Sequence, residues 1–157
     1  MSRHASVVSA RTLVEAAKAM GHPARLRILA MLHGRSMCVC QMTAVLELAP
    51  STVSGHLNEL RRSGLVVEDK QGKLVYYALD AASPFYELVR RSLALVAGDE
   101  RVVTDRALVD RVQAMPIEVV TSVGFRLTGP GRRSTPRAGR TTTASASRAD
   151  GTTRPRV

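Results

Sequence analysis

Tryptophan is absent from this chain of 157 residues, which has only two phenylalanines and three tyrosines. Any core must therefore be aliphatic, and the length suffices for one small domain and hardly for two. No apolar run approaches the ~20 residues that cross a bilayer. The opening Met-Ser-Arg-His-Ala-Ser-Val-Val-Ser-Ala offers no adequate apolar stretch for a secretory leader. A cytoplasmic protein without a membrane span is expected. Paired carboxylates, a Cys-His arrangement with an orienting partner, and a Gly-rich phosphate loop are all missing, so no enzyme is expected. Cysteine is scarce: Cys38 and Cys40 are the only two. One residue apart, they would close almost no loop and cannot staple a fold, so reduced thiols are expected.

Acidic residues are also in short supply, 13 against 23 basic ones, for a net charge of +10. That balance points to a polyanion such as nucleic acid. Its distribution is uneven, because residues 129–157 carry seven Arg and one Asp, leaving 16 basic and 12 acidic residues in 1–128. The tail from Gly129 is Arg, Thr, Ser, Ala, Gly and Pro, with no large apolar residue until Val157. Such a segment cannot bury enough surface to offset its ordering entropy and is expected to be disordered.

The periodicity predicts helices over Thr12–Met20, Ala24–Leu32, Cys40–Leu46 and Ser51–Arg62. Gly21, the His33-Gly34 pair and Gly64 punctuate them, with Pro23 and Pro50 at helix starts. Leu65-Val66-Val67 and Leu74–Leu79 flank the polar Glu68–Lys73, a hairpin signal. A further helix is predicted from Pro84 to Ala97 and a weaker one from Asp105 to Met115, while 117–127 reads equally as strand or ordered tail. The organisation expected is a flexible arm at 1–10, a domain at 11–98, a weakly helical extension at 99–128 and the tail at 129–157. The fold class is mainly α with a small β-hairpin.

Helix-turn-helix followed by hairpin is the winged-helix order, in which the second helix enters the major groove and a basic wing touches phosphate. The helix at 51–62 has an apolar stripe of Val53, Leu57 and Leu60. Its other side presents Ser51, Ser54, Gly55, Asn58 and Arg62, with Thr52 and His56 beside them. Small side chains would let it sink toward base edges, and Asn58 suits adenine. Arg61, Arg62, Lys70 and Lys73 would serve phosphates, and His56 would pack or touch phosphate. A solvated face of an ordinary helical domain has the same composition.

The segment Leu13–Leu79 resembles the ArsR/SmtB family of winged-helix metalloregulatory repressors. The likeness lies in Ala19-Met20-Gly21-His22-Pro23-Ala24-Arg25-Leu26-Arg27-Ile28-Leu29, in Ser51 through Val66, and in Gly72-Lys73-Leu74-Val75-Tyr76-Tyr77. The resemblance implies a homodimeric repressor bound to an inverted repeat of double-stranded DNA, with the first helix and the helix at 84–97 forming the two-fold interface. Cys38-Val39-Cys40 matches the third-helix Cys-Val-Cys motif of arsenic-sensing and cadmium/lead-sensing members.

Thiolates suit soft ions, so trivalent arsenic or antimony is the expected inducer, with cadmium, lead, zinc or a thiol redox or persulfide signal as alternatives. Residues two apart on a helix point about 200° from one another. Chelation by both sulfurs is therefore expected to distort the start of the third helix. The helix N-terminus should favour the thiolates. Arsenite-binding relatives often carry a third cysteine where this chain has Thr43. The arm lacks the extra cysteines of cadmium and lead sensors. Residues 83–98 hold no His and no acid but Glu87, so the family's other metal site is not expected. His33, five residues before Cys38, is a candidate third ligand or a cap for the second helix.

Overall fold

The computed structural model describes residues 7–122 and residue 127. The first six residues of the arm, 123–126, 128 and the Arg-rich tail lie outside the described residues. The elements run α1 (Ala10–Met20), α2 (Pro23–Met31), β1 (Met37–Cys38), α3 (Val39–Leu46), α4 (Pro50–Arg62), β2 (Val66–Gln71), β3 (Leu74–Leu79), α5 (Tyr86–Leu95), α6 (Glu100–Gln113) and α7 (Ile117–Val120).

Local chemistry sets these boundaries. The Ser9 hydroxyl accepts from the Thr12 amide at 3.1 Å and opens α1. At the far end Arg25 folds back, donating to the Ala19 carbonyl and, at 3.1 Å, to that of Lys18. The Lys18 carbonyl also accepts from the Gly21 amide at 3.2 Å, and Arg25 adds a partner to both carbonyls in the last turn. His22 starts α2 by accepting from the Ala24 amide through Nδ1 at 3.1 Å, with Pro23 in the first helical position. The Gly-His-Pro-Ala-Arg run is thus one corner that closes α1 and opens α2. Pro50 fills the first position of α4, where its missing N–H costs nothing.

The sheet is antiparallel, in the order β1-β3-β2. β2 and β3 pair from Val66↔Leu79 to Gln71↔Leu74, and Gly72, with φ +62°, makes the tight reversal. The hairpin is longer than the sequence suggests: the polar stretch 68–71 is strand, and all four of its residues are exposed on an edge strand. β1 adds Met37↔Tyr77 and Cys38↔Tyr76. Two residues carry no readable period, which is why this third strand escapes pattern analysis.

The core is aliphatic, as composition requires. Ile28, Leu29, Met37, Met42, Val53, Leu57 and Leu60 are each fully buried. Every member of the predicted α4 stripe is therefore inside, and each such side chain contributes roughly 1.5–3 kcal/mol by leaving water. α3 and α4 pack on each other and on α2, with the β2–β3 hairpin following: a winged helix-turn-helix.

Three helices differ from expectation, beyond the hairpin: where the sequence from 117 reads as strand or ordered tail, α7 is a four-residue helix. α5 begins at Tyr86 rather than Pro84, because the Ser83 hydroxyl accepts from the Phe85 amide within a separate turn. α6 begins at Glu100 rather than Asp105, because Asp99 accepts from the amides of Arg101 and Val102 at 3.0 and 3.2 Å. α6 lies across α2 and α3, and α7 reaches α3. α6 is fixed by a bidentate pair in which Arg27 Nε and Nη2 donate to the two carboxylate oxygens of Asp105 at 2.6 and 2.8 Å. Asp105 itself is buried. Arg35 adds a bond to Asp110 at 2.7 Å, and Gln113 Nε2 donates to the Ser36 carbonyl at 3.2 Å.

Candidate thiol site and nucleic-acid interface

Cys38 closes β1 in extended conformation, with φ −84° and ψ 166°, and Cys40 lies in the first turn of α3. The pair straddles a strand–helix junction instead of lying within a helix. Their Cα atoms are 5.4 Å apart and the sulfurs are joined as a disulfide. This corrects two expectations. Neither cysteine is a reduced thiol in this structure, and the opposed directions of helical residues do not apply, because Cys38 precedes the helix. Both sulfurs converge on one point with α3 intact. Cys38 is buried, while Cys40 is half-buried and reachable.

Gln41, buried at the third position of α3, accepts from the Cys38 amide through Oε1 at 3.1 Å. It fixes the backbone at the junction. The signal was available in sequence, since Gln three residues after a helix cap is half of a capping box; the cysteine in the cap position hid it. A groove of about 580 Å³ opens beside the pair, with a mainly apolar lining that includes Val39, Ala44, Pro50, Val75, Tyr77 and Val120. Thr43, at the position of the family's third cysteine, lines it too, and its Oγ1 is buried without a hydrogen-bond partner. Burial and then the Glu68 carboxylate push the Tyr77 phenol above its ordinary value. His33 is exposed, and among the described residues no three His, Cys, Asp or Glu side chains are grouped to hold a metal ion.

On α4, Ser51, Thr52, Gly55 and Asn58 are exposed along the side away from the buried stripe, and Ser54 is half-buried. A Cβ added at Gly55 would meet nothing within 4 Å. Among the described residues, then, nothing requires the glycine. Arg61 and Arg62 pair with Glu68 and Glu59 at 3.6 Å, while Lys70 and Lys73 are exposed on the hairpin. Exposed pairs of this kind are worth at most about 1 kcal/mol and yield readily to phosphate. His56 is half-buried, its ring 4.6 Å from that of His22 at 44°. Burial, then the neighbouring His22 and Arg25, push its imidazole below the ordinary value. The His22–His56 contact was not legible in sequence, since the residues are 34 positions apart and neither follows an apolar period.

A family model described as "Bacterial regulatory protein, arsR family" matches residues 22–67. An uncharacterized HTH-type transcriptional regulator of Methanocaldococcus jannaschii is 43% identical over 61 residues, spanning 38% of this chain and 68% of the relative. The chain belongs to the arsR family. The cadmium resistance transcriptional regulatory protein CadC of Listeria innocua is 43% identical over 54 residues, 34% of this chain and 45% of that protein. The arsenic resistance transcriptional regulator ArsR1 of Pseudomonas putida is 38% identical over 61 residues, covering 39% of this chain and 47% of that protein. This arsR-family chain thus spans about half the length of the curated relatives it matches. The crystal structure of the transcriptional repressor BigR from Xylella fastidiosa superposes with a TM-score of 0.52 at 25% identity, over 58% of this chain and 89% of that one. Among the described residues no helix is long and apolar enough to cross a membrane.

Proposed function

We propose that this arsR-family chain is a transcriptional repressor that leaves its operator when a thiophilic ion, foremost trivalent arsenic or antimony, bridges Cys38 and Cys40. The observation that carries this reading is the convergence of both sulfurs at the junction that feeds α3 and pairs with the wing. Two of the three bonds of a pyramidal arsenic are then available without unwinding any element. Thr43 Oγ1, unpartnered in the same lining, suits a hydroxide in the third position. Cadmium, lead or zinc would require more protein ligands than the described residues group together.

The coupling route follows from connectivity rather than from helix distortion. Cys38 pairs with Tyr76 in β3, a strand of the wing, and α3 packs on α4. An ion drawn between the sulfurs biases both DNA-facing elements through one junction, and DNA binding must reciprocally weaken ion binding. In this reading Ser51, Thr52, Ser54, Gly55 and Asn58 face the bases, Arg61, Arg62, Lys70 and Lys73 serve phosphates, and His56 holds the helix to its neighbour. A two-fold partner suits Leu13, Val14, Leu88 and Leu95, apolar residues of α1 and α5 that are exposed in the single chain. Operator-fragment binding by fluorescence anisotropy tests the repressor: affinity should fall by about tenfold or more between 50 and 200 mM salt if several phosphates are contacted. A fragment series from the chain's own upstream region with no salt-sensitive, sequence-selective binder would count against it.

A second reading has the disulfide itself in its favour: the same pair acting as a thiol redox switch. Peroxide added to the reduced protein–operator complex separates the readings, since release by peroxide at arsenite-free conditions belongs to the redox switch alone.

A further inference from the structure

A cleft of about 400 Å³ opens where α6 crosses α2. It exists because Ala30 of α2 and Val102 and Val109 of α6 are small where the two helices face one another. Its floor is apolar, since Met31, Val102 and Val109 line it and are buried. At its mouth stand two exposed side chains, His33 beyond the end of α2 and Arg106 of α6. The other charges in the lining are already matched. Both Asp105 carboxylate oxygens accept from Arg27, at 2.6 and 2.8 Å, and Arg35 donates to Asp110 at 2.7 Å. The Arg106 guanidinium has no partner among the described residues, so the mouth carries a free guanidinium beside an imidazole N–H. No residue of this lining belongs to the cysteine groove or to α4.

We infer that the α2–α6 cleft binds a small monocarboxylate, its apolar body on the floor of Met31, Val102 and Val109 and its carboxylate on Arg106 and His33. The charge balance selects this class. A cation finds neither Asp105 oxygen free, because Arg27 engages both. A neutral apolar molecule forgoes the charge-assisted bonds that the planar guanidinium fork gives a carboxylate. A phosphate monoester carries close to two negative charges, and the second would be left against an apolar floor, where an unpaired charge is costly. A carboxylate too small to reach the floor leaves its apolar surface in water and gives up the transfer term. Bound as inferred, the ligand joins α2 to α6. Because α6 also packs on α3, which packs on α4, occupancy would stiffen the support of the helix-turn-helix from its C-terminal side. The cleft shares no residue with the cysteine pair, so it can fill or fail to fill whatever ion those sulfurs hold.

The test titrates the full chain, with isotope-labelled methionine methyl groups, with sodium benzoate, benzamide and sodium acetate at fixed pH and salt. The Met31 methyl resonance, assigned through Met31→Leu, should shift saturably with benzoate, at a Kd between micromolar and millimolar as suits so small a ligand. Benzoate should bind at least about tenfold more tightly than acetate, the factor that burying roughly 55 Å² of apolar surface supplies. It should exceed benzamide by about three- to fivefold, the worth of an ion pair at an exposed mouth. Arg106→Gln, at an exposed residue with no partner to lose, should remove most of the preference for benzoate over benzamide and leave benzamide affinity unchanged. No saturable Met31 shift across the millimolar range of benzoate would overturn the site. So would acetate or benzamide bound as tightly as benzoate, or an undiminished benzoate preference in Arg106→Gln.

Discussion

Replacing Gly55 by Ala should stabilise the fold and weaken its grip on DNA. A glycine inside a helix costs about 1 kcal/mol relative to alanine, through backbone entropy. Normally part of that gain is lost to crowding, but a Cβ at Gly55 meets nothing within 4 Å. The residue is central in α4, whose buried side is held by Val53, Leu57 and Leu60. Nothing among the described residues offsets the propensity term, so the variant should gain about 0.5–1 kcal/mol. For a folded unit of this size that is roughly 2–5 °C in Tm, compared at fixed protein concentration because any oligomer would contribute. If α4 is the helix that enters the groove, the new methyl stands between backbone and base edges, and operator affinity should fall about tenfold or more, some 1.4 kcal/mol. Calorimetry or thermal circular dichroism reads the first quantity and fluorescence anisotropy the second. A stabilised variant with unchanged operator affinity would remove α4's open face from the interface. A destabilised variant would refute the packing argument itself.

Other predictions test separate parts of the fold. Arg27→Met leaves the buried Asp105 carboxylate without its bidentate partner; because the Arg27 side chain is 21% exposed, the cost should fall just under the ~3–5 kcal/mol of fully buried pairs, at about 2–3 kcal/mol in urea unfolding. Adding Asp105→Leu should recover most of that loss, and a double variant no better than the single would show that packing rather than charge dominates. Leu57→Ala, at a fully buried site, should cost about 3–5 kcal/mol without altering the urea m-value.

His56 predicts a pH effect. Its folded-state pKa lies below the unfolded one, so the unfolded chain binds more protons and stability falls as pH drops from about 6.5 through the folded value. His56→Gln should flatten that part of the stability profile, and an unchanged profile would assign the acid sensitivity to other groups.

What was legible in the sequence was whatever repeats. Three- and four-residue spacing placed α1, α2 and α4, and the two apolar runs around a polar loop with a glycine placed the hairpin. The density of family-like residues from Ala19 to Tyr77 named the family. What was not legible depends on partners distant in sequence or on a single residue's backbone angle. Nothing in Met37-Cys38 announces a strand, because its partners Tyr77 and Tyr76 lie about 40 residues on. That one assignment changes the chemistry of the site, since a cysteine in extended backbone before a helix can meet its neighbour where two helical cysteines cannot. Likewise Arg27 and Asp105 read as surface charges on separate helices, and only their contact shows that α6 is held against α2. The start of α6 could have been found, because Asp99 is an ordinary helix cap, but Glu100-Arg101 diluted the apolar period there.

The central claim is that Cys38 and Cys40 together couple a thiophile to release of DNA. It is tested most directly by titrating arsenite into the phosphine-reduced protein–operator complex at fixed salt, with wild type and Cys38→Ser/Cys40→Ser in parallel. The account predicts release of the wild type alone, with one arsenic retained per released chain and unaltered operator affinity of the ion-free double variant. Release of both proteins at the same arsenite concentration, or of neither while operator binding is intact, would contradict it.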